Sequence, residues 1–138
     1  MKKNRLPNQI VGNVGLYYVC YELSKCGWNV LPTSRNARGA DLVIYNQTVT
    51  KTHTVQVKAL SKKNPVPFGS NLDSLIAEYV IICRKVLDEK PEIFIAETDE
   101  IKNKISKMEK AGKISYWLET RAYEVFSDKW DKIGEGWK

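Results

Sequence analysis

Three residues of the 138-residue chain, Asp41, Gln56 and Lys58, have the types and spacing that phosphodiester chemistry requires. In the run His53 to Lys58 a period of two sends Gln56 and Lys58 to one side and Val55 and Val57 to the other. A hairpin centred between Thr48 and Val49 then sets Asp41 opposite Gln56. The same register pairs Leu42 with Val55 and Ala40 with Val57 on the apolar side, so the hydrophobic pattern itself selects the alignment. One face thus collects a carboxylate, an amide oxygen and an ammonium group. Asp41, the Gln56 side chain and the Val57 carbonyl can hold a hard cation, Mg²⁺ or Mn²⁺. Such an ion acidifies a bound water and neutralises a leaving oxygen, while the lysine orients the nucleophile or stabilises developing charge. The plainer readings are an aspartate closing a turn after Gly39 and a half-solvated strand with its polar residues outward.

Charge supports the sharper reading. The chain carries +6 overall, with 10 basic and 2 acidic residues over positions 1–69 but 12 and 14 over 70–138. Asp41 and Glu22 are the two acids of the basic half, so no acidic surface accounts for Asp41 as a solubilising residue. A one-sided basic excess is the footprint of a polyanion-binding face, nucleic acid above all. Arg35 and Arg38, in the turn before Asp41, and Lys62 and Lys63, in the loop after Lys58, are the candidate phosphate contacts. His53 has no Cys, His or acidic neighbour at ligand spacing and reads as a surface residue at a strand end.

The elements that must position these groups follow from periodicity and punctuation. Ile10 to Cys26 is so densely apolar that it reads as a helix buried between other elements, ended by Gly27. Trp28–Leu31, Asp41–Tyr45 and Thr52–Ala59 read as three strands, and Ser61–Asn71, with two prolines and a glycine, as a loop. Tyr79–Cys83 and Ile93–Ala96 are two further strands, joined by a turn through Asp88 and Pro91. Thr98 fits the N-cap of a helix with Asp99 and Glu100 in its first turn, Lys107 and Lys110 near its end and Gly112 after it; its lysines read as a solvated face. A short strand at Tyr116–Leu118 and a helix carrying Phe126, Trp130 and Ile133 complete an α/β arrangement around a mixed sheet.

Length and composition set the bounds. At 138 residues, 43% hydrophobic and 28% charged, the chain reads as one soluble domain over 1–138, large enough for a core without disulfides. Three cysteines without a CxxC pair support neither a disulfide framework nor a zinc ribbon, and a reducing cytoplasm is the expected compartment. No apolar run is long enough for a membrane span, and the basic start runs into Pro7, Asn8 and Gln9 instead of a signal-peptide core.

Gly12 to Gly15 opening a helix, GWNV from Gly27, GADLVIY from Gly39 and VQVK from Val55 resemble the PD-(D/E)XK, or restriction-endonuclease-like, superfamily, in particular bacterial members with a QVK motif that are similar in core to Holliday junction resolvases. The segments YVIICRKV, PEIFIAETDEI and WDKIG extend the resemblance over most of the chain. It implies an αβββαβ core with a mixed central sheet flanked by helices, Mg²⁺-dependent cleavage of DNA leaving a 5′-phosphate, and a homodimer. By position it gives the metal-binding aspartate to Asp41, the variable (D/E/Q) position to Gln56 and the lysine to Lys58. Two departures stand out: many relatives have Glu where this chain has Leu16, and many have an acid where it has Gln56. Glu22 lies about 120° around the helix from Leu16 and is no substitute. The alternative to an enzyme is a catalytically silent module of the same fold that binds DNA or a protein partner. For that alternative, Asp41→Ala is expected to carry little folding penalty.

Overall fold

The computed structural model describes residues 5–34 and 38–138. The order is α1 (Asn8–Lys25), β1 (Asn29–Pro32), β2 (Leu42–Tyr45), β3 (Thr52–Leu60), β4 (Val66–Gly69), β5 (Tyr79–Arg84), β6 (Glu92–Glu97), α2 (Thr98–Lys102), β7 (Ser106–Lys110), β8 (Lys113–Leu118) and α3 (Thr120–Glu124), followed by a 3₁₀ turn at Trp130–Lys132. A five-stranded mixed sheet has the order β1-β2-β3-β5-β6, and a three-stranded sheet the order β4-β8-β7. In the first, only β3 and β5 run parallel. No described helix is long and apolar enough to cross a membrane.

Alternation along the strands divides the core in two. Leu42, Ile44, Val55, Ile81 and Ile95 face α1, which packs through Val11, Val19 and Leu23. Val80, Ile82, Phe94 and Ala96 face the other way, onto Val66, Leu118, Tyr123 and Phe126. The helix α1 approaches β3 so closely that a Cβ at Gly15 would lie 2.5 Å from the Ala59 Cβ, which only glycine permits.

The α/β class and the mixed sheet are as the sequence indicates; several elements differ. The αβββαβ pattern places a helix between the third and fourth core strands, whereas here residues 61–78 make that connection with β4 and turns. Val66 and Phe68 alternate with Pro67 and Gly69, and β4 pairs with β8, so part of the expected loop is a strand. The helix α1 is half-exposed, not sandwiched: its buried stripe is Val11, Gly15, Val19 and Leu23, and Tyr17 and Tyr21 point outward. The helix begun at Thr98 stops at Lys102. Its acidic first turn is real, with Glu97 and Glu100 forming a capping box. Ser106–Lys110 then pairs antiparallel with Lys113–Leu118 across a turn in which Ala111 and Gly112 have φ of 52° and 79°. Positive φ at both positions is the geometry of a tight hairpin, so Gly112 turns a ribbon and does not end a helix. The last helix is split into α3 and the 3₁₀ turn by Phe126 and Ser127, which bond back to β6.

Candidate active site

The hairpin follows the register that the hydrophobic pattern selects. Leu42 pairs with Val55 and Tyr45 with Thr52, and both Leu42 and Val55 are fully buried under α1. The turn is built by Asn46, whose Oδ1 accepts from the amides of Thr50 and Lys51 at 2.9 and 2.8 Å. With the register fixed there, Gln56 and Lys58 emerge on the face opposite Val55.

The ladder between β2 and β3 ends at Leu42, while β3 continues for five more residues alongside β5. Among the described residues, the β2 side of Gln56–Leu60 is therefore an open edge. Asp41 occupies its start: its amide donates to the Val55 carbonyl at 2.9 Å, and its Oδ2 accepts from the Val57 amide at 2.7 Å. The carboxylate does for Val57 what a strand carbonyl would have done. This overturns the expectation that Asp41→Ala carries little folding penalty in a silent module, because the residue closes the ladder whether or not it does chemistry. Within one strand residue N–H and C=O point the same way, so the Val57 carbonyl also faces the open edge beside Asp41.

Gln56 carries the least expected feature. Its Oε1 is buried and has no hydrogen-bond partner among the described residues. An orphaned buried acceptor costs about 1–3 kcal/mol, and proteins retain one where something else satisfies it. Lys58 is half-buried, with its Nζ 5.0 Å from the centre of the Phe68 ring on β4. Burial lowers its pKa, and the Asp41 charge works against that shift without forming an ion pair. Lys58 opens on a cleft of about 340 Å³ lined also by Arg5, Asn8, Asn64 and Val66; neither Asp41 nor Gln56 lines it.

These residues pass a donor-set test for a hard divalent cation. Among the described residues, Asp41 Oδ1 and Gln56 Oε1 accept no hydrogen bond, and with the Val57 carbonyl they make an all-oxygen set with one formal negative charge. Among the described residues no group of three His, Cys, Asp or Glu comes together. Leu16 packs against the α1 core, and Glu22 pairs with Lys25 at 3.7 Å, so neither supplies a second carboxylate here.

The candidate phosphate contacts are dispersed. Arg35 lies outside the described residues. Arg38 Nη2 donates to the Asp73 carbonyl at 3.3 Å, away from the cleft. Lys63 sits 3.7 Å from Glu124, whereas exposed Lys62 shares a groove with Arg5 and Asn8. Arg5 and Asn8, at the start of α1, and Phe68 were not evident from sequence; the basic run before Pro7 and the alternation in VPFG are the signals that point to them. His53 is not solitary: its Nδ1 lies 2.6 Å from Glu78, and its ring contacts Trp28 and Tyr79 edge-on. Sequence reading also missed buried Arg84, which bonds Glu92 and Glu124 at 3.0 and 3.1 Å and lies over Phe94. The hydrogen bond from Arg84, with one from Lys85, pulls the Glu92 carboxyl down to about 2.

No family model matches the sequence, and no curated protein matches it. Solved structures do. The bacterial homing endonuclease I-Ssp6803I superposes with a TM-score of 0.61 at 16% identity, covering 94% of this chain and 92% of that one. Hjc of Archaeoglobus fulgidus, a Holliday junction resolvase from an archaeal hyperthermophile, superposes with a TM-score of 0.57 at 16% identity, covering 86% of this chain and 99% of that one. Set beside the α1 packing, the β2–β3 hairpin and the parallel β3–β5 pair, these superpositions give the chain a restriction-endonuclease-like fold.

Proposed function

We propose that the chain is a metal-dependent endonuclease that hydrolyses DNA phosphodiester bonds at Asp41, Gln56 and Lys58. The observation that carries this reading is the buried, unpartnered Gln56 Oε1, on the residue next to Val57, whose amide anchors the Asp41 carboxylate. Asp41 Oδ1, Gln56 Oε1 and the Val57 carbonyl are the groups that would hold Mg²⁺ or Mn²⁺. When bound, the ion supplies Lewis acidity toward a water and the scissile phosphate. The chain's own contribution is positional. The Val57 amide fixes the Asp41 carboxylate, and β3 holds Gln56 and Lys58 two residues apart on one face. The Lys58 ammonium can donate to the attacking water and to a non-bridging phosphate oxygen, lowering the cost of charge that develops as the P–O3′ bond breaks. One carboxylate makes for weak metal affinity in the absence of DNA, whose phosphate would complete the ligand set. We place this activity in a reducing cytoplasm, in a homodimer.

A nuclease assay on plasmid, linear, single-stranded and junction DNA, with Mg²⁺, Mn²⁺ or chelator, tests the proposal. Metal-dependent cleavage by the wild type that Asp41→Asn abolishes, and that Lys58→Met lowers by orders of magnitude, supports it. Cleavage that persists in Asp41→Asn refutes it. The second reading, a silent module binding DNA or a protein partner, draws on the single carboxylate at the site, and DNA binding without cleavage or metal uptake would establish it.

A further inference from the structure

The β7–β8 ribbon stands apart electrostatically from the half of the chain that contains it. Residues 102–118 hold five lysines, Lys102, Lys104, Lys107, Lys110 and Lys113, against the single acid Glu109, whereas the remainder of 70–138 holds seven basic and thirteen acidic residues. None of the five forms an ion pair among the described residues. At the tip Lys110 lies directly opposite Lys113, a like-charge cross-strand pair that destabilises a hairpin. All five lysines are exposed, and Met108 is 57% exposed beside them.

The charges lie on both faces. Alternation from buried Leu118 puts Tyr116 and Ile114 on the inner face with Lys107, whose Nζ is 5.9 Å from the Tyr116 ring centre. Lys110 and Lys113 fall on the outer face with Trp117. The ribbon is also continuous with the cleft: β8 pairs with β4 through Leu118 and Val66, and β4 supplies Val66 and Pro67 to the cleft wall and Phe68 beneath Lys58.

We propose that the β7–β8 ribbon enters a groove of duplex DNA, so that Lys107 on one face and Lys110 and Lys113 on the other meet the phosphates of the two groove walls. A two-stranded ribbon fits the width of the major groove. A flat anionic surface would call for cations on one face only, and the like-charge pair at the tip is relieved once phosphate lies between the lysines. The nature of the partner rests on the nuclease reading; the position of the contact rests on the ribbon alone.

Fluorescence anisotropy with a labelled duplex of about 30 base pairs, in chelator so that nothing is cut, tests it between about 50 and 200 mM salt. Lys107→Gln/Lys110→Gln/Lys113→Gln should lower the slope of log affinity against log salt by about 2.7, at 0.9 per lost phosphate contact. The double variant Lys110→Gln/Lys113→Gln removes the repulsive pair, so it should melt no lower than wild type while losing about 1.8 of slope. Lys25→Gln/Lys51→Gln/Lys138→Gln removes equal charge at the end where Gln47 and Asn46 bond Gly27 and Lys138, and should leave the slope nearly unchanged. A wild-type slope in the ribbon variants, an equal loss in the control, or displacement of the duplex by polyglutamate as readily as by unlabelled DNA would overturn the inference while leaving the nuclease reading standing. A wild type that neither binds nor cuts any DNA would overturn both.

Discussion

Asp41 carries two burdens that a pair of substitutions can separate. Its Oδ2 accepts from the Val57 amide at 2.7 Å, the bond that ends the β2–β3 ladder. A hydrogen bond to a charged group contributes about 1.5–3 kcal/mol, and Asp41→Ala forfeits it and leaves the Val57 amide without its acceptor. With a melting entropy of about 2.1 cal/mol/K per residue, a chain of 138 residues loses about 3.4 °C per kcal/mol, so the alanine variant should melt about 5–10 °C below wild type. Asp41→Asn keeps an oxygen in place and gives up the charge, for a loss of about 1 kcal/mol, or about 3 °C. Both should be inactive. Circular dichroism melts in chelator read the folding part without any contribution from metal. An alanine variant melting within about 1 °C of wild type would show that the Val57 bond contributes nothing, and the account of Asp41 as the closing residue of the ladder would fall.

Lys58→Met removes a desolvated charge while keeping the bulk over Phe68, so it should raise stability by about 1 kcal/mol at neutral pH and lower cleavage by orders of magnitude. Burial holds the folded-state pKa of Lys58 below its ordinary 10.5, so the unfolded chain binds more protons between the two values and wild-type stability rises with pH across that interval. The advantage of Lys58→Met should therefore be full at neutral pH and disappear as pH climbs toward 10.5, which urea titrations at several pH values would show; a constant advantage would refute the desolvation argument. Gly15→Ala, which forces two Cβ atoms to 2.5 Å, should cost about 1–3 kcal/mol, and Ala59→Gly in the same chain should restore most of it. Failure of the second change to rescue the first, in denaturant melts, would place the close contact elsewhere.

The site was readable where the chain obeys one local rule and obscure where two rules compete. Asp41, Gln56 and Lys58 are legible on one face because a hairpin with one apolar face admits a single register, and β3 carries it through nine residues. The segment after Thr98 misled because its acidic start, its lysines and Gly112 all match helix punctuation, yet the same Gly112 with Ala111 makes a tight turn and the strand pairing of 106–110 with 113–118 prevails. Phe68 and Arg5 beside Lys58 were hidden because their nearness comes from a strand inside a proline-rich stretch and from the entry to α1, which no periodicity records. Arg84 illustrates the same limit: in a strand of buried residues its charge depends on Glu92 and on Glu124, forty positions away.

The mismatch in length between β2 and β3 has a consequence for the protein's behaviour in concentrated solution. A strand edge without a neighbour is a template for any other extended chain, and among the described residues β3 offers one from Gln56 to Leu60. Folded proteins guard such edges with charges that a docking strand would have to bury, and here the guards are Asp41 at the start of the edge and Lys58 within it. Two of the three residues read as catalytic thus also keep copies of the chain from zipping together. A variant stripped of both should precipitate or form strand-paired oligomers at concentrations where wild type stays dispersed.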